Sequence, residues 1–465
     1  MTAQRSDKRE GKPLTLPHLM LAIVVLATLL FGAVEPWALA ITGILTAVLF
    51  SAFMLRWEGF SDRPFSRHFF VLGAILLVYG LLQLLPLPLR WVGAIHPTLL
   101  QLVSMPNITA SPLGSVQNSA SVAEAPAFHA VSVYPFATEM ELSRLVIYFM
   151  VFLLAALAPR SHEEIRSVLR VLAIFGFVIA LFAVTQKATW NGKLYWLREL
   201  SLTRASPFGP FVNRNHFAGW MCMVAPLSFG LGLMSRSTSR RIRYIFFAVV
   251  MALTIFFSLS RGGVISFLVG TVILASIALW RAPSRKSLIP ILSFVVALFI
   301  YLVYLGVSPI IERFAQSGIS SNERLLVWSA SLTAFRGFPV FGTGLGTFQH
   351  IFPMYKPDGI AMFYQHAHND YIEILVELGI IGALLTLVFL GFVGKHVLSV
   401  AWTRRDRYLK AAFVASLASM GVFSLFDFNL HIPSNAILLS FVLGLAVAMS
   451  RLEQRVERRK SVSSV

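Results

Sequence analysis

Long apolar runs, separated by short polar segments, recur from one end of the sequence to the other. Runs of about 17–22 residues are long enough to cross a hydrocarbon layer of about 30 Å as α-helices. Membrane β-barrels would instead show segments of about ten residues with alternating polarity. The pattern predicts twelve spans, at residues 17–34, 37–55, 69–86, 141–158, 168–186, 216–234, 243–259, 263–280, 288–306, 371–393, 409–426 and 432–450. We therefore predict an all-α integral membrane protein.

Composition and charge agree with this fold class and indicate an orientation. Hydrophobic residues make up 57% of the chain and charged residues 13%. The net charge of +18 could suggest a nucleic-acid partner. However, most lysines and arginines fall in the two tails and the even-numbered loops, as the positive-inside rule requires when both termini are cytoplasmic. No nucleic-acid partner is therefore expected, and Cys222, the single cysteine, excludes an intrachain disulfide and a cysteine-based metal site.

The spans divide the chain into five predicted segments. These are a basic cytoplasmic tail at 1–16, spans one to nine within 17–306, a large periplasmic loop at 307–370, spans ten to twelve within 371–450, and a basic cytoplasmic tail at 451–465. Two further periplasmic loops are predicted at 87–140 and 187–215. In the large loop, "SNERLLVWSASLTAFRG" predicts an amphipathic helix capped by Ser321 or Asn322. Because the cytoplasmic loops are short, we expect the chemistry on the periplasmic face.

The stretch "YQHAHNDYIEILVELGIIG" gathers polar residues at the start of the tenth span. His366 and His368 lie two residues apart, and Asn369 and Asp370 can cap the helix that follows, which is expected to start near Tyr371. A histidine with a pKa near neutral suits a general base acting on a hydroxyl group. The alternative is an interfacial helix cap with snorkelling polar groups. The His-x-His pair could also bind a metal, but no third ligand has a recognisable spacing, so no metal is assigned.

Two carboxylates follow in the first turns of the same helix. Glu373 and Glu377 lie four residues apart and therefore on one helix face. Glu377 is expected below the membrane surface, where an unpaired carboxylate is costly. A partner or a functional role is therefore expected for it.

Arginines in the predicted periplasmic segments are candidates for binding phosphate. Arg261 lies in the tight turn "FFSLSRGG", Arg324 in "NERLLVW", and Arg214 beside His216 in "FVNRNHFAG". A guanidinium group matches phosphate oxygens. The alternatives are a lipid-headgroup anchor for Arg261, a solvated helix face for Arg324, and a helix start capped by an asparagine near Arg214.

The hairpin between the last two spans carries an acid, an amide and an imidazole. In "SLFDFNLHIPSNA" these are Asp427, Asn429 and His431. They could line the same cavity as His368, although a capped turn ending at Pro433 explains them slightly better. The chain has neither a G-x-x-x-x-G-K-[ST] loop nor a G-x-S-x-G elbow. "GTGLGTF" at 342–348 has no βαβ context, so a nucleotide site there is a weak hypothesis.

Taken in order, these motifs resemble those of the O-antigen ligase/polymerase superfamily, and most closely its O-antigen ligase branch. The resemblance covers roughly residues 140–450 and rests on "FVNRNHFAG", "SLSRGG", "ERLLVWSASLTAFRGFPVFGTGLGTF", "HAHNDYIEILVELGIIG" and "FDFNLHIPSNA". Members are glycosyltransferases of the bacterial inner membrane that act on glycans linked to undecaprenyl pyrophosphate. The resemblance implies a GT-C-like bundle of about twelve helices with a large helical periplasmic loop.

The same resemblance implies residue roles. His368 matches the essential histidine, and Arg261 and Arg324 match arginines that grip pyrophosphate. The expected reaction inverts the anomeric centre, needs no cofactor or metal, and uses a lipid-linked glycan donor, a lipid A-core acceptor and surrounding membrane lipids. Substrate contacts are expected from His366, Asn369, Arg214, His216 and Asp427.

Other functions stay open at this stage. A polymerase extending lipid-linked repeats and a protein O-oligosaccharyltransferase share these motifs with a ligase. A transporter of lipid-linked sugars would need charged residues along a path through several spans. The charges here cluster at the periplasmic rim, which disfavours transport.

Overall fold

The computed structural model describes residues 15–56, 64–104, 127–200, 206–279, 317–358, 362–399 and 406–463, together with positions 289, 296 and 360. Fifteen α-helices lie in these ranges. They are α1 (Leu16–Leu29), α2 (Pro36–Leu55), α3 (Pro64–Gln83), α4 (Leu89–Ile95), α5 (Pro97–Ser104), α6 (Pro135–Leu157), α7 (His162–Ala188), α8 (Arg214–Met234), α9 (Thr238–Phe257), α10 (Arg261–Leu279), α11 (Ser317–Gly337), α12 (Phe348–Ile351), α13 (Asp370–Ser399), α14 (Arg407–Phe423) and α15 (Pro433–Ser463).

Non-helical structure is sparse in the described part of the chain. Strands β1 (Pro86–Pro88) and β2 (Phe128–Ala130) pair antiparallel, with Pro86 opposite Ala130. Three 3₁₀ turns cover Phe31–Ala33, Phe352–Met354 and Asn429–His431. The fold is therefore all-α, as predicted.

Seven of the described helices are long and apolar enough to cross a membrane. They are Pro36–Leu55, Pro135–Leu157, His162–Ala188, Arg214–Met234, Arg261–Leu279, Asp370–Leu398 and Pro433–Glu457. Leu16–Leu29 and Arg67–Gln83 are shorter apolar helices. Each predicted span except the ninth coincides with a described helix, and within the ninth, 288–306, the structure describes only positions 289 and 296. The membrane fold class is confirmed, while the count of twelve spans stays a prediction.

Helix α8 lies at the centre of the bundle. Every residue from His216 to Met234 is buried. Small residues allow this close packing, as is usual between membrane helices. A Cβ at Gly219 would come within 2.4 Å of Asn429 Oδ1, and one at Gly230 within 2.5 Å of Ala412 Cβ. The start of α8 is thereby held against the hairpin that carries Asp427.

Helix α13 is interrupted at Gly379, whose φ of 61° and ψ of −169° are not helical. The glycine-rich segment after α11 pairs with the interruption. The amide of Ile380 donates to Pro339 O at 2.9 Å, and the amide of Gly344 donates to Glu377 O at 2.9 Å. A Cβ at Gly379 would lie 2.4 Å from Val340 O, so this approach requires glycine. The break holds the glycine-rich segment against the start of α13. Sequence analysis considered part of this segment as a nucleotide loop.

Helix α11 confirms the amphipathic helix expected in the large loop. Val327, Ala330 and Ala334 are buried on one face, in a cluster with Phe338, Phe348, Phe352 and Tyr364. The predicted cap at Ser321 or Asn322 is wrong, because α11 begins at Ser317 and both residues lie inside it. The apolar periodicity identified the helix, but it does not fix where a helix starts.

Candidate functional site

Several chain segments meet at one end of the bundle. The amide of Asp370, at the start of α13, donates to Ser424 O at the end of α14. At the start of α10, a Cβ on Gly262 would touch Phe423 and Phe426. The start of α8 packs against the same hairpin, which runs from Ser424 to Ile432. The motifs that are far apart in sequence are thus neighbours in space.

His368 and Asp427 form the histidine–aspartate pair of this site. Nδ1 of His368 lies 3.1 Å from Asp427 Oδ1. Asp427 is fully buried, and it also accepts hydrogen bonds from Asn215 Nδ2 at 2.6 Å and from the Phe428 amide at 2.9 Å. The His368 side chain is 26% exposed, so its ring is held at one edge and accessible at another.

The backbone of His368 contributes to this orientation. Its φ of 51° lies in the left-handed region, which is uncommon for a residue other than glycine. The following residue, Asn369, caps α13: its Oδ1 accepts from the amides of Tyr371 and Ile372, both at 3.1 Å. Of the two predicted caps, Asn369 is confirmed, whereas Asp370 is the first residue of α13. The Asn369 cap anchors the strained turn that presents the imidazole.

The charge state of Asp427 determines which ring nitrogen of His368 carries hydrogen. Burial by itself raises the pKa of a carboxyl group, but the hydrogen bond from His368, the charges of His368 and His216 and the Phe428 amide outweigh it. The pKa of Asp427 is therefore well below its ordinary value. Since the carboxylate can only accept, Nδ1 of His368 donates, and the lone pair of the neutral imidazole is then on Nε2.

A second group, the buried histidine network, consists of His366, Glu373, His431 and Asp370. Nδ1 of His366 lies 2.7 Å from Glu373 Oε1, and the Ala367 amide donates to Glu373 Oε2 at 2.9 Å. His431 bridges two carboxylates: its Nε2 is 3.3 Å from Glu373 Oε1, and its Nδ1 is 3.2 Å from Asp370 Oδ1. Burial lowers the pKa of His431, but Glu373 and Asp370 outweigh it and raise the pKa well above the ordinary value.

Phe428 separates the two groups. The His366 ring stacks on it with a centroid distance of 4.4 Å and an interplanar angle of 22°. The His368 and His216 rings meet it edge-on, at 4.9 Å and 5.1 Å. Three histidines therefore surround one aromatic ring.

A polar cavity of about 200 Å³ opens beside the buried histidine network. Helix α6 contributes a salt bridge to its wall, with Arg144 Nη1 2.7 Å from Glu141 Oε2. The full lining is Glu141, Arg144, Gly346, Gln349, Gln365, His366, Glu373, Glu377 and His431. The cavity is large enough for several ordered waters or part of a sugar.

Sequence analysis predicted a partner or a role for Glu377, because an unpaired carboxylate below the membrane surface is costly. The structure shows its partners. Its Oε2 accepts from the Gly346 amide and its Oε1 from the Phe348 amide, both at 2.9 Å. These are amides of the glycine-rich segment. Because they bind a carboxylate of the protein itself, they are not available to a nucleotide phosphate.

Arg261 and Arg324 lie on elements that border this site. Arg261 is the first residue of α10, next to Gly262 and thus to the end of α14. Arg324 lies one turn before Trp328 on α11, and Trp328 Nε1 donates to Ala367 O at 3.1 Å. Residues four apart share a helix face. The face of α11 that carries Arg324 therefore packs over the segment that ends at His368.

Arg214 and His216 begin the central helix. Asn213 caps α8 by accepting from the Asn215 amide at 2.9 Å, and the Arg214 amide donates to Ser206 O at 2.7 Å. His216 is buried, and within the described ranges its Nε2 has no hydrogen-bond partner. His216 thus contributes its ring to the packing around Phe428.

Sequence reasoning missed several residues of the site. Asn215 was considered only as a cap, and Phe428 not at all. The Glu141–Arg144 pair carried a usable signal, because both are charged residues within a predicted apolar span. Phe428 carried none, since an aromatic residue beside a turn is common in any membrane protein.

One group of described residues has the geometry to hold a metal ion. The donor atoms of His366, Glu373 and His431 lie within 4.8 Å of one another. The group keeps His366 from the predicted His-x-His pair but not His368, and its other members are Glu373 and His431, which comes from a separate hairpin. Nδ1 of His366 and both ring nitrogens of His431 already face carboxylates of the protein, and we assign no metal there.

Comparison with known proteins adds a family to this geometry. A family model described as O-Antigen ligase matches residues 246–387. The matched range contains Arg261, Arg324, His366 and His368, but it excludes Arg214 and Asp427. No curated protein matches the chain. Residues 246–387 are thus similar to the O-antigen ligase family, and this match supports membership of the chain in the O-antigen ligase superfamily that the motifs indicated.

Proposed function

We propose that the protein is an inverting glycosyltransferase that moves O-antigen, or a similar glycan, from undecaprenyl pyrophosphate to lipid A-core. The reaction takes place at the periplasmic face of the bacterial inner membrane, and both termini are cytoplasmic. The observation that carries the proposal is the histidine–aspartate pair at the end of the bundle where both motif arginines lie. The match of residues 246–387 to the O-antigen ligase family model supports a function of the O-antigen ligase or polymerase type and a lipid-linked glycan as substrate.

His368 acts as the general base. Asp427 holds its Nδ1–H, so Nε2 faces the acceptor with a lone pair. As the acceptor hydroxyl attacks the anomeric carbon, its proton passes to Nε2 of His368. A new bond forms between the acceptor oxygen and the anomeric carbon, and the bond from that carbon to the pyrophosphate oxygen breaks. Because attack comes from the face opposite the leaving group, the anomeric configuration inverts.

Arg261 and Arg324 stabilise the leaving group. The electron pair of the broken bond leaves with undecaprenyl pyrophosphate, and negative charge builds on its phosphate oxygens. Guanidinium groups placed in advance against those oxygens lower the barrier without rearranging. No cofactor or metal is needed, because the pyrophosphate is already an activated leaving group.

The remaining site residues position the substrates. Arg214, at the start of α8, contributes a further cation near the donor. His366 and Asn369 contact the sugars on either side of His368, and His216 supports the ring of Phe428 between them. Asp427 acts through His368 rather than on the substrate itself.

The test is glycan transfer by the purified protein from undecaprenyl-pyrophosphate-linked glycan to lipid A-core. His368→Ala and Arg261→Ala should each reduce the rate by about 10²–10⁴-fold, the usual contribution of a general base or a charge-stabilising group. His129→Ala and Arg336→Ala are matched controls outside the site and should keep the wild-type rate.

The products distinguish the alternatives. Longer lipid-linked chains without transfer to core would make the protein a polymerase, and transfer to a protein acceptor would make it an oligosaccharyltransferase. Wild-type rates in both site variants would contradict the catalytic assignment of His368 and Arg261.

A further inference from the structure

A second charged cavity lies at the opposite end of the bundle from the candidate active site. Helix α8 begins at the site and has 21 residues. At 1.5 Å per residue its far end is about 30 Å away. The cavity there, named the arginine cavity, has a volume of about 100 Å³. Its lining is Glu163, Arg166, Arg170, Leu231, Met234, Ser235, Arg236, Arg240 and Tyr244.

The lining of the arginine cavity carries more positive than negative charge. Its single carboxylate, Glu163, pairs with Arg170, whose Nη2 is 2.7 Å from Oε1, and lies 3.8 Å from Arg166. Arg166 is further paired with Asp406. Among the described residues, neither Arg236 nor Arg240 forms an ion pair with a carboxylate. Four guanidinium groups therefore share one cavity with one carboxylate.

Helix electrostatics does not explain these arginines. Arg240 lies in the first turn of α9, where the helix dipole favours anions and disfavours cations. That turn has no acidic residue, and the side chain of the preceding Ser237 makes no capping hydrogen bond. A bound anion would offset both the helix end and the guanidinium charges.

The floor of the cavity is apolar. Leu231, Met234 and Tyr244 are all buried there, beneath the charged rim. The cavity also lies where membrane-spanning helices end. A phospholipid matches this combination, since its phosphate suits guanidinium groups and its glycerol and upper acyl carbons suit the apolar floor. Free phosphate would gain nothing from that floor.

We propose that the arginine cavity binds the headgroup of an anionic phospholipid, with Arg236 and Arg240 as its main phosphate contacts. The site is distinct from the glycan-transfer site and does not depend on the reaction. The lipid fixes the ends of α7, α8 and α9 relative to one another. Since α8 runs from this cavity to the candidate active site, the lipid holds the central helix at its far end.

Native mass spectrometry of the detergent-purified protein tests this proposal. Phosphatidylglycerol and phosphatidylcholine are added separately in equal amounts, and in a third sample millimolar inorganic phosphate is added together with phosphatidylglycerol. Wild type should retain phosphatidylglycerol over phosphatidylcholine. The double variant Arg236→Gln/Arg240→Gln should bind phosphatidylglycerol about tenfold more weakly, given the attraction of each arginine for an anionic lipid.

Arg243→Gln is the matched control. Arg243 is exposed on α9 but does not line the cavity, so this variant should retain phosphatidylglycerol as wild type does. Equal loss in control and double variant would overturn the site in favour of general surface charge. Equal retention of both lipids by wild type would also overturn it, without need of any variant. Displacement of phosphatidylglycerol by millimolar inorganic phosphate would overturn the lipid assignment in favour of free phosphate.

Discussion

His366 and His368 lie two residues apart, yet their surroundings differ. His368 has one carboxylate partner, Asp427, and an accessible edge. His366 joins a network in which Glu373 and Asp370 enclose His431. Nδ1 of each ring faces an oxygen of a buried carboxylate, and the two side chains are exposed to nearly the same extent, 26% for His368 and 24% for His366. The difference lies in the carboxylates: Asp427 holds His368, whereas Glu373 is shared between His366 and His431.

The strongest test of this difference is Asp427→Asn. An amide cannot hold Nδ1–H of His368 and also accept from Asn215 and Phe428 as the carboxylate does, so the imidazole loses its tautomer and orientation. We expect glycan transfer to fall about 10³-fold or more, with most of the effect in kcat. Steady-state kinetics measures it. A fall confined to KM would show that Asp427 serves binding rather than the base.

Glu373→Gln should affect stability more than chemistry. It removes a fully buried carboxylate from beside the His431 imidazolium, and breaking such a pair costs about 3–5 kcal/mol. Thermal unfolding in detergent should show a clear drop, while Glu139→Gln, an exposed change on α6, should show none. A variant as stable as wild type but inactive would move Glu373 into the catalytic group.

The two groups should also respond to opposite ends of the pH scale. The pKa of Asp427 is lowered by folding, so its stabilisation is present above the unfolded value of about 3.9 and is lost as pH falls through the folded value. The pKa of His431 is raised, so its stabilisation is complete below about 6.5 and is lost as pH rises through the folded value.

Unfolding temperatures recorded from acid to alkaline pH check the direction of both pKa shifts, that of Asp427 and that of His431. Asp427→Asn should flatten the acid limb and His431→Gln the alkaline limb. The opposite result, in which Asp427→Asn flattens the alkaline limb and His431→Gln the acid limb, would contradict the pKa shifts assigned to the two residues.

The smallest expected effect is that of metal removal. His366, Glu373 and His431 are close enough to share an ion, but Nδ1 of His366 and both ring nitrogens of His431 already face carboxylates of the protein. Transfer rates should be the same with and without a chelator such as EDTA. Loss of activity that added divalent cations restore would identify the buried histidine network as a metal site.

The apolar runs predicted most of the helices, because a segment that crosses lipid must be apolar along its whole length. The cap at Asn369 was equally readable, since its signal is local. Helix starts without such a signal, as at Ser317, were not. The interruption of α13 at Gly379 was hidden as well, because glycine occurs at many unbroken positions of membrane helices.

The sequence predicted which residues belong to the candidate site, but it did not predict which of them contact one another. His368 and Asp427 were both singled out, yet nothing in the sequence joins one to the other rather than to His431. That choice depends on how α13 and α14 pack, and the position of Arg144 on the wall of the polar cavity depends on how α6 packs. Pairing across distant helices is a property of the assembled bundle.

The position of Asp427 has a consequence for building chimeric enzymes. The match to the O-antigen ligase family model ends at residue 387, within α13 and before the hairpin that holds the carboxylate. Grafting residues 246–387 into a relative would transfer His368 and both arginines but would leave its orienting acid to the recipient. A graft that continues through Pro433 would carry both the base, His368, and its acid, Asp427. We therefore expect the exchangeable unit to extend through Pro433.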